Sequence, residues 1–174
     1  MKPLPTYLDS SSNCKKLLVG QHVLFDANVL ISLLDDYSTD FLDFLQSINV
    51  TFTTIHPVLV EMQRTNSAAK RAKRSSMLIK YNFTILPLTR VEFDKSRDIQ
   101  NWLSAKDCFP EPTDLYLGGT VSKYGKNIYL ATCNLTDFPY PLFTRECFAI
   151  IQNNKHANLI SFLKIDNTQL VAFS

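Results

Sequence analysis

The sequence has no apolar run approaching the roughly 18 to 20 residues that span a bilayer, so no membrane-spanning helix is expected. It also lacks an excess of charge: 18 Lys and Arg against 16 Asp and Glu leave a formal net charge of +2, and bulk charge therefore does not announce a nucleic-acid binder. Any such role must come from local distribution. The four cysteines, Cys14, Cys108, Cys133 and Cys147, form neither a C-x-x-C pair nor a zinc pattern, so reduced thiols in a cytoplasmic protein are expected rather than a disulfide framework. His22, His56 and His156 lack zinc-like spacing and read as turn or surface residues. No P-loop, G-x-G-x-x-G or Ser-His-Asp arrangement is present, and there is no repeat or low-complexity tract. Residues 1–20 are polar and mixed, with Pro3, Pro5 and Ser10-Ser11-Ser12-Asn13; they lack the order of a signal peptide and read as an irregular N-terminal arm.

The remaining residues, 21–174, are of a length and hydrophobic content that fit one compact domain. Short β-branched or apolar runs predict strands at 22–25, 50–55, 83–86 and 128–131, with further candidates at 147–152 and 159–165. Between them, helical spacing predicts helices at 29–34, 38–48, 57–63, 66–81 and 91–105. Another begins at a Thr113 or Asp114 cap, reaches residue 123 and is ended by Gly125. This βαβα order predicts an α/β fold with a mostly parallel central sheet and helices on both faces.

Four acids sit at the borders of these elements. Asp26 ends Val23-Leu24-Phe25, Glu61 follows Val58-Leu59-Val60, Asp114 opens Leu115-Tyr116-Leu117, and Asp137 follows Ile128-Tyr129-Leu130 by a short polar turn. A single carboxylate is costly to desolvate. Gathered beyond the carboxyl ends of parallel strands, several make an oxygen-lined pocket for a hard divalent cation. Each also has a plainer reading: Asp26 and Asp114 as helix N-caps, Glu61 as a solvated helix residue, and Asp137 as a turn residue before Phe138-Pro139. Asn28 is placed to orient Asp26 or contact phosphate. Lys70, Arg71, Lys73 and Arg74 fall within five positions of a helical stretch, as a solvated face or as a phosphate-neutralising rim beside the acids.

In order and spacing these segments resemble the PIN domain family, in particular the VapC-type toxins of bacterial toxin–antitoxin pairs. The first block is Val23-Leu24-Phe25-Asp26-Ala27-Asn28-Val29-Leu30-Ile31 and the second Val58-Leu59-Val60-Glu61-Met62. The third and most specific runs from Asp114 through Gly118-Gly119 to Gly125 and then Leu130-Ala131-Thr132-Cys133-Asn134-Leu135-Thr136-Asp137-Phe138. The resemblance covers about residues 22–165. It implies a PIN-like three-layer α/β/α sandwich in which Asp26, Glu61, Asp114 and Asp137 hold Mg²⁺ or Mn²⁺, flanked by Thr132 and Asn134. The implied activity is metal-dependent hydrolysis of RNA phosphodiester bonds; the implied partners are RNA, a small antitoxin protein and, as relatives frequently dimerise, a second copy. Tyr116, Tyr124 or Trp102 could stack a base if exposed.

Two departures stand out. Asn134 occupies a position where many relatives have aspartate, which supports the alternative of a catalytically weak PIN-like RNA- or protein-binding module. Gly118-Gly119 replace small alanines at a cost of about 1 kcal/mol each, for which a close helix-to-sheet approach is the expected reason. A haloacid-dehalogenase-type phosphatase, with Asp26 as nucleophile, is disfavoured because Asn28 stands where it needs an acid.

Overall fold

The computed structural model of the chain describes residues 13–35, 39–152 and 157–171. In order the elements are α1 (Asn13–Leu18), β1 (His22–Phe25), α2 (Ala27–Asp35), α3 (Asp40–Ser47), β2 (Thr51–Ile55), α4 (His56–Met62), α5 (Ala68–Lys80) and β3 (Thr84–Leu86). There follow α6 (Arg90–Ser104), α7 (Pro112–Tyr124), a 3-10 turn at Gly125–Asn127, β4 (Ile128–Thr132), β5 (Phe143–Gln152), β6 (Ala157–Ile165) and α8 (Thr168–Val171). The fold is α/β. Among the described residues no helix is long and apolar enough to cross a membrane. His156 and residues 1–12 of the expected arm lie outside the described residues. The end of that arm is not irregular, since α1 buries Cys14 and Leu18.

The six strands form one sheet in the order β3-β2-β1-β4-β6-β5. β3, β2, β1 and β4 pair in parallel, whereas β6 runs antiparallel to both β4 and β5. The sheet is therefore mixed, and the expected parallel character holds only on one side of it. Four residues separate β5 from β6, too few for the crossover that parallel neighbours need. β1 lies between two parallel neighbours with Val23, Leu24 and Phe25 all buried, as a strand covered on both faces must be. Cys14, Leu18, Phe41, Phe44 and Leu45 of α1 and α3 surround Phe162 on one face.

A bulge in β5 alters which side chains meet α1. Arg145 pairs with Leu163, but Cys147 pairs with its neighbour Phe162. Because side chains alternate between faces, this one-residue slip turns Cys147 onto the Phe162 face, under α1. There it forms a disulfide with Cys14, Cα to Cα 5.4 Å, while Cys108 and Cys133 remain free. The expectation of four reduced thiols is corrected accordingly.

α7 carries Asp114 and is held by close packing on α6. Pro112 starts it and Glu111 occupies its N-cap, so neither Thr113 nor Asp114 is the cap; Asp114 lies in the first turn. A Cβ at Gly119 would lie 2.2 Å from Ser96 Oγ and 2.5 Å from the Glu92 carbonyl oxygen. At Gly119 the close approach is therefore between two helices, whereas Gly118 faces both α6 and strand β5. At Gly118 the added atom would meet Ile99 Cδ1 at 3.2 Å and Phe143 at 3.3 Å. Ser96 Oγ donates to the Leu115 carbonyl at 2.9 Å, and Lys123 Nζ pairs with buried Glu92 at 2.5 Å across the same contact.

Candidate active site

The chain leaves β1 towards β2 on one side, and β4 returns to pair on the other. Their carboxyl ends thus form a topological switch point, where open α/β sheets leave a crevice. Asp26 directly follows β1 and is only 3% exposed; Thr132 ends β4. Asp26 Oδ2 accepts hydrogen bonds from Thr132 Oγ1 at 2.8 Å and Asn28 Nδ2 at 2.6 Å. The carboxylate also takes the backbone N–H groups of Ala27 and Asn28, and the Asp26 carbonyl accepts from Leu30 N–H at 3.3 Å. The helix-start reading of Asp26 is thus met at the carboxyl end of β1.

Asn28 reaches further. Its Oδ1 accepts from Cys133 N–H at 3.1 Å, fastening the loop after β4 to α2. Within that loop Asn134 N–H donates to Thr132 Oγ1 at 3.0 Å, and Asn134 Nδ2 donates to the Asp137 carboxylate. An aspartate at 134 would set two carboxylates against each other there; the amide replaces that repulsion with a hydrogen bond. Asp26, Asn28, Thr132, Asn134 and Asp137 thus form one connected network.

Glu61, near the end of α4, and Asp114, in the first turn of α7, come within electrostatic reach of it. Burial, and then the charges of Asp26, Asp137 and Glu61, push the Asp114 carboxyl up to about 7. Burial also raises Asp26, against the pull of its hydrogen bonds and with a further push from Glu61. Asp137 is raised by burial and by Glu111. Glu111 is an acid that sequence reasoning passed over; its place three residues before Asp114, at the start of the same helix, was the available signal. The free Cys133 thiol, pushed up to about 12 by burial and by Asp26, stays un-ionised and is no nucleophile.

Among the described residues, no three Asp, Glu, His or Cys side chains converge into a ready-made metal cage. The donor set nonetheless fits a hard cation. It consists of carboxylates whose mutual repulsion a positive ion relieves, and Mg²⁺ commonly takes one or two carboxylates while keeping several waters.

The basic residues of α5 are placed differently. Arg74, 4% exposed, donates from Nη2 to Asp35 Oδ2 at 2.6 Å and from Nη1 to the Met62 carbonyl at 2.5 Å. Lys70 pairs with Asp35 at 2.8 Å, Lys73 Nζ donates to the Leu34 carbonyl, and Arg71 Nη1 to the Thr65 carbonyl. Leu34 and Asp35 close α2, whose nine residues separate them by about 13 Å from the helix start beside Asp26. Lys70 and Lys73 thus dock α5 on the far end of α2, away from Asp26, whereas Arg74 and Arg71 hold the chain that follows Glu61. Trp102 is buried, Tyr116 packs edge-on against Phe93, and half-buried Tyr124 lies under Lys123 Nζ. A cleft of about 480 Å³ lies at the opposite, amino ends of the strands, lined by residues such as His22, Thr51, Thr84 and Asn127. It contains none of the four acids.

No family model and no curated protein matches the sequence. Among solved structures, a chain of the crystal structure of VapBC2 from Rickettsia felis, bound to a DNA fragment from their promoter, is similar to this one. The TM-score is 0.58 at 15% identity, over 67% of this chain and 90% of that chain. At this identity the likeness carries the α/β fold.

Proposed function

We propose that this protein is a PIN-like, divalent-metal-dependent endoribonuclease, acting as the toxin of a toxin–antitoxin pair. What carries the reading is that Asp114, besides its burial, feels the charges of Asp26, Asp137 and Glu61, which together push its carboxyl up to about 7. The ordered sequence blocks and the fold shared with a chain of a toxin–antitoxin assembly support it.

Asp26, Glu61, Asp114 and Asp137 are the residues that would hold Mg²⁺ or Mn²⁺. Such an ion supplies positive charge to a phosphodiester and to the leaving oxygen. Asn28 and Thr132 hold Asp26 Oδ2 in place, and Asn134 does the same for Asp137. A carboxylate oxygen of Asp114 or Asp137 accepts the proton of the attacking water. As water oxygen bonds to phosphorus, the opposite P–O bond breaks and the RNA is cut.

The test is cleavage of a mixed RNA pool by the purified full chain with Mn²⁺, Mg²⁺ or EDTA, alongside Asp26→Asn and Asp114→Asn. Metal-dependent cutting lost in both variants is the expected result. A folded wild-type chain that binds RNA and never cuts it supports the binding-module alternative.

A further inference from the structure

The described surface holds two large, exposed aromatic rings outside the core, in the loops that lead to Asp114 and follow Asp137. Phe109 is 76% exposed and Tyr140 is 80% exposed. Phe109 precedes α7 by a few residues and leads to Asp114; Tyr140 follows Asp137 by three. The two loops abut, because Cys108 Sγ donates to the Thr136 carbonyl at 3.7 Å. Proline stiffens both: Pro110 follows Phe109, and Tyr140 stands between Pro139 and Pro141. A proline ring fixes its own φ and restricts the residue before it, so these rings are presented with little backbone freedom left to lose on binding.

We propose that Phe109 and Tyr140 form a stacking platform for unpaired nucleobases of a single-stranded RNA whose phosphate lies at the acid pocket, an inference that rests on the nuclease reading above. A single strand offers phosphates and base faces in alternation. The carboxylates, through a cation, address the first, and neutral rings address the second. The platform supplies binding energy that the buried cation of α5, Arg74, does not, since that side chain is engaged with Asp35 and Met62. Stacking uses the face common to all bases, so it selects single strands over duplexes without reading sequence.

The experiment uses an oligoribonucleotide carrying 2-aminopurine, single-stranded or annealed to its complement, titrated with the full-length chain and with Phe109→Ala, Tyr140→Ala, Phe109→Tyr and Tyr140→Phe. Titrations are run in EDTA and, on the Asp114→Asn background, with Mg²⁺. The expected result is fluorescence quenching by the single strand only. Each alanine weakens that binding about tenfold with loss of the quench, and both ring-preserving variants keep it. Unchanged affinity and quench in the alanine variants, an equal loss for duplex, or no binding of single strands by the wild type overturns the platform. Cutting by the wild type that persists at full rate in both alanine variants removes the platform and leaves the nuclease standing. Ring-dependent quenching without cutting does the reverse.

Discussion

Thr132 Oγ1 donates to Asp26 Oδ2 at 2.8 Å, joining residues 106 positions apart at the ends of neighbouring strands. Asp26 is buried, so this donor opposes the desolvation that raises its pKa. Thr132→Val keeps the shape and removes the hydroxyl. The expected outcome is a loss of about 1.5–3 kcal/mol in urea denaturation at neutral pH, with weaker Mn²⁺ binding by calorimetry. Thr132→Ser recovers most of both. A valine variant as stable as wild type and equal in Mn²⁺ affinity contradicts this role.

The crowding of Asp114 has a definite pH signature. Its folded pKa of about 7 lies above the ordinary 3.8, so between those values the folded chain holds a proton that the unfolded chain has released. The contribution to stability is complete below about pH 4 and is lost as pH rises through about 7. Asp114→Asn, compared with wild type in EDTA, therefore gains relative stability across that window. At neutral pH the gain is on the order of 1 kcal/mol, or roughly 2–4 °C in Tm. Added Mg²⁺ narrows the gap by stabilising the wild type more. Melting curves that run parallel from about pH 4 to pH 8 rule out the crowding.

Gly119 and Gly118 respond differently to alanine. At Gly119 the new methyl strikes the Glu92 carbonyl, and backbone cannot step aside; at Gly118 it meets the flexible end of Ile99 and the Phe143 ring. Gly119→Ala is expected to cost about 1–3 kcal/mol or more despite its better helix propensity, and Gly118→Ala to stay within about 1 kcal/mol of neutral. Chemical denaturation of the two variants side by side decides the matter.

The Arg74–Asp35 pair separates docking from nucleic-acid binding. Arg74→Ala leaves a carboxylate with 8% side-chain exposure short of its buried partner, at an expected cost of about 3–5 kcal/mol. Lys70, 52% exposed in its pair with the same carboxylate, is expected to cost at most about 1 kcal/mol on replacement by alanine. Thermal unfolding measures the difference, and equal losses contradict the assignment.

Local pattern made much of this legible. The run His22 to Phe25 followed by Asp26-Ala27-Asn28 is a strand turning into a helix, and β1 and α2 form there because burial and capping point the same way. The carboxylates could be marked for the same reason, since each sits at the end of an apolar element. What escaped was set by contacts distant in sequence. The partner of Cys147 depends on a bulge that reverses its face, and no alternation pattern reports a bulge. The pressing neighbour of Gly119 is an α6 carbonyl, which sequence does not reveal. The basic run is ordinary helix surface by composition, and only the position of Asp35 shows that Arg74 is spent inward.

The bond between Cys14 and Cys147 makes most of the described chain a covalent ring. Asp26, Glu61, Asp114 and Asp137 all lie on its circumference. A protease that clips one loop inside the ring opens it without releasing a fragment, because the two pieces stay tethered through sulfur. While the bond persists, the four acids cannot diffuse apart after a single cut.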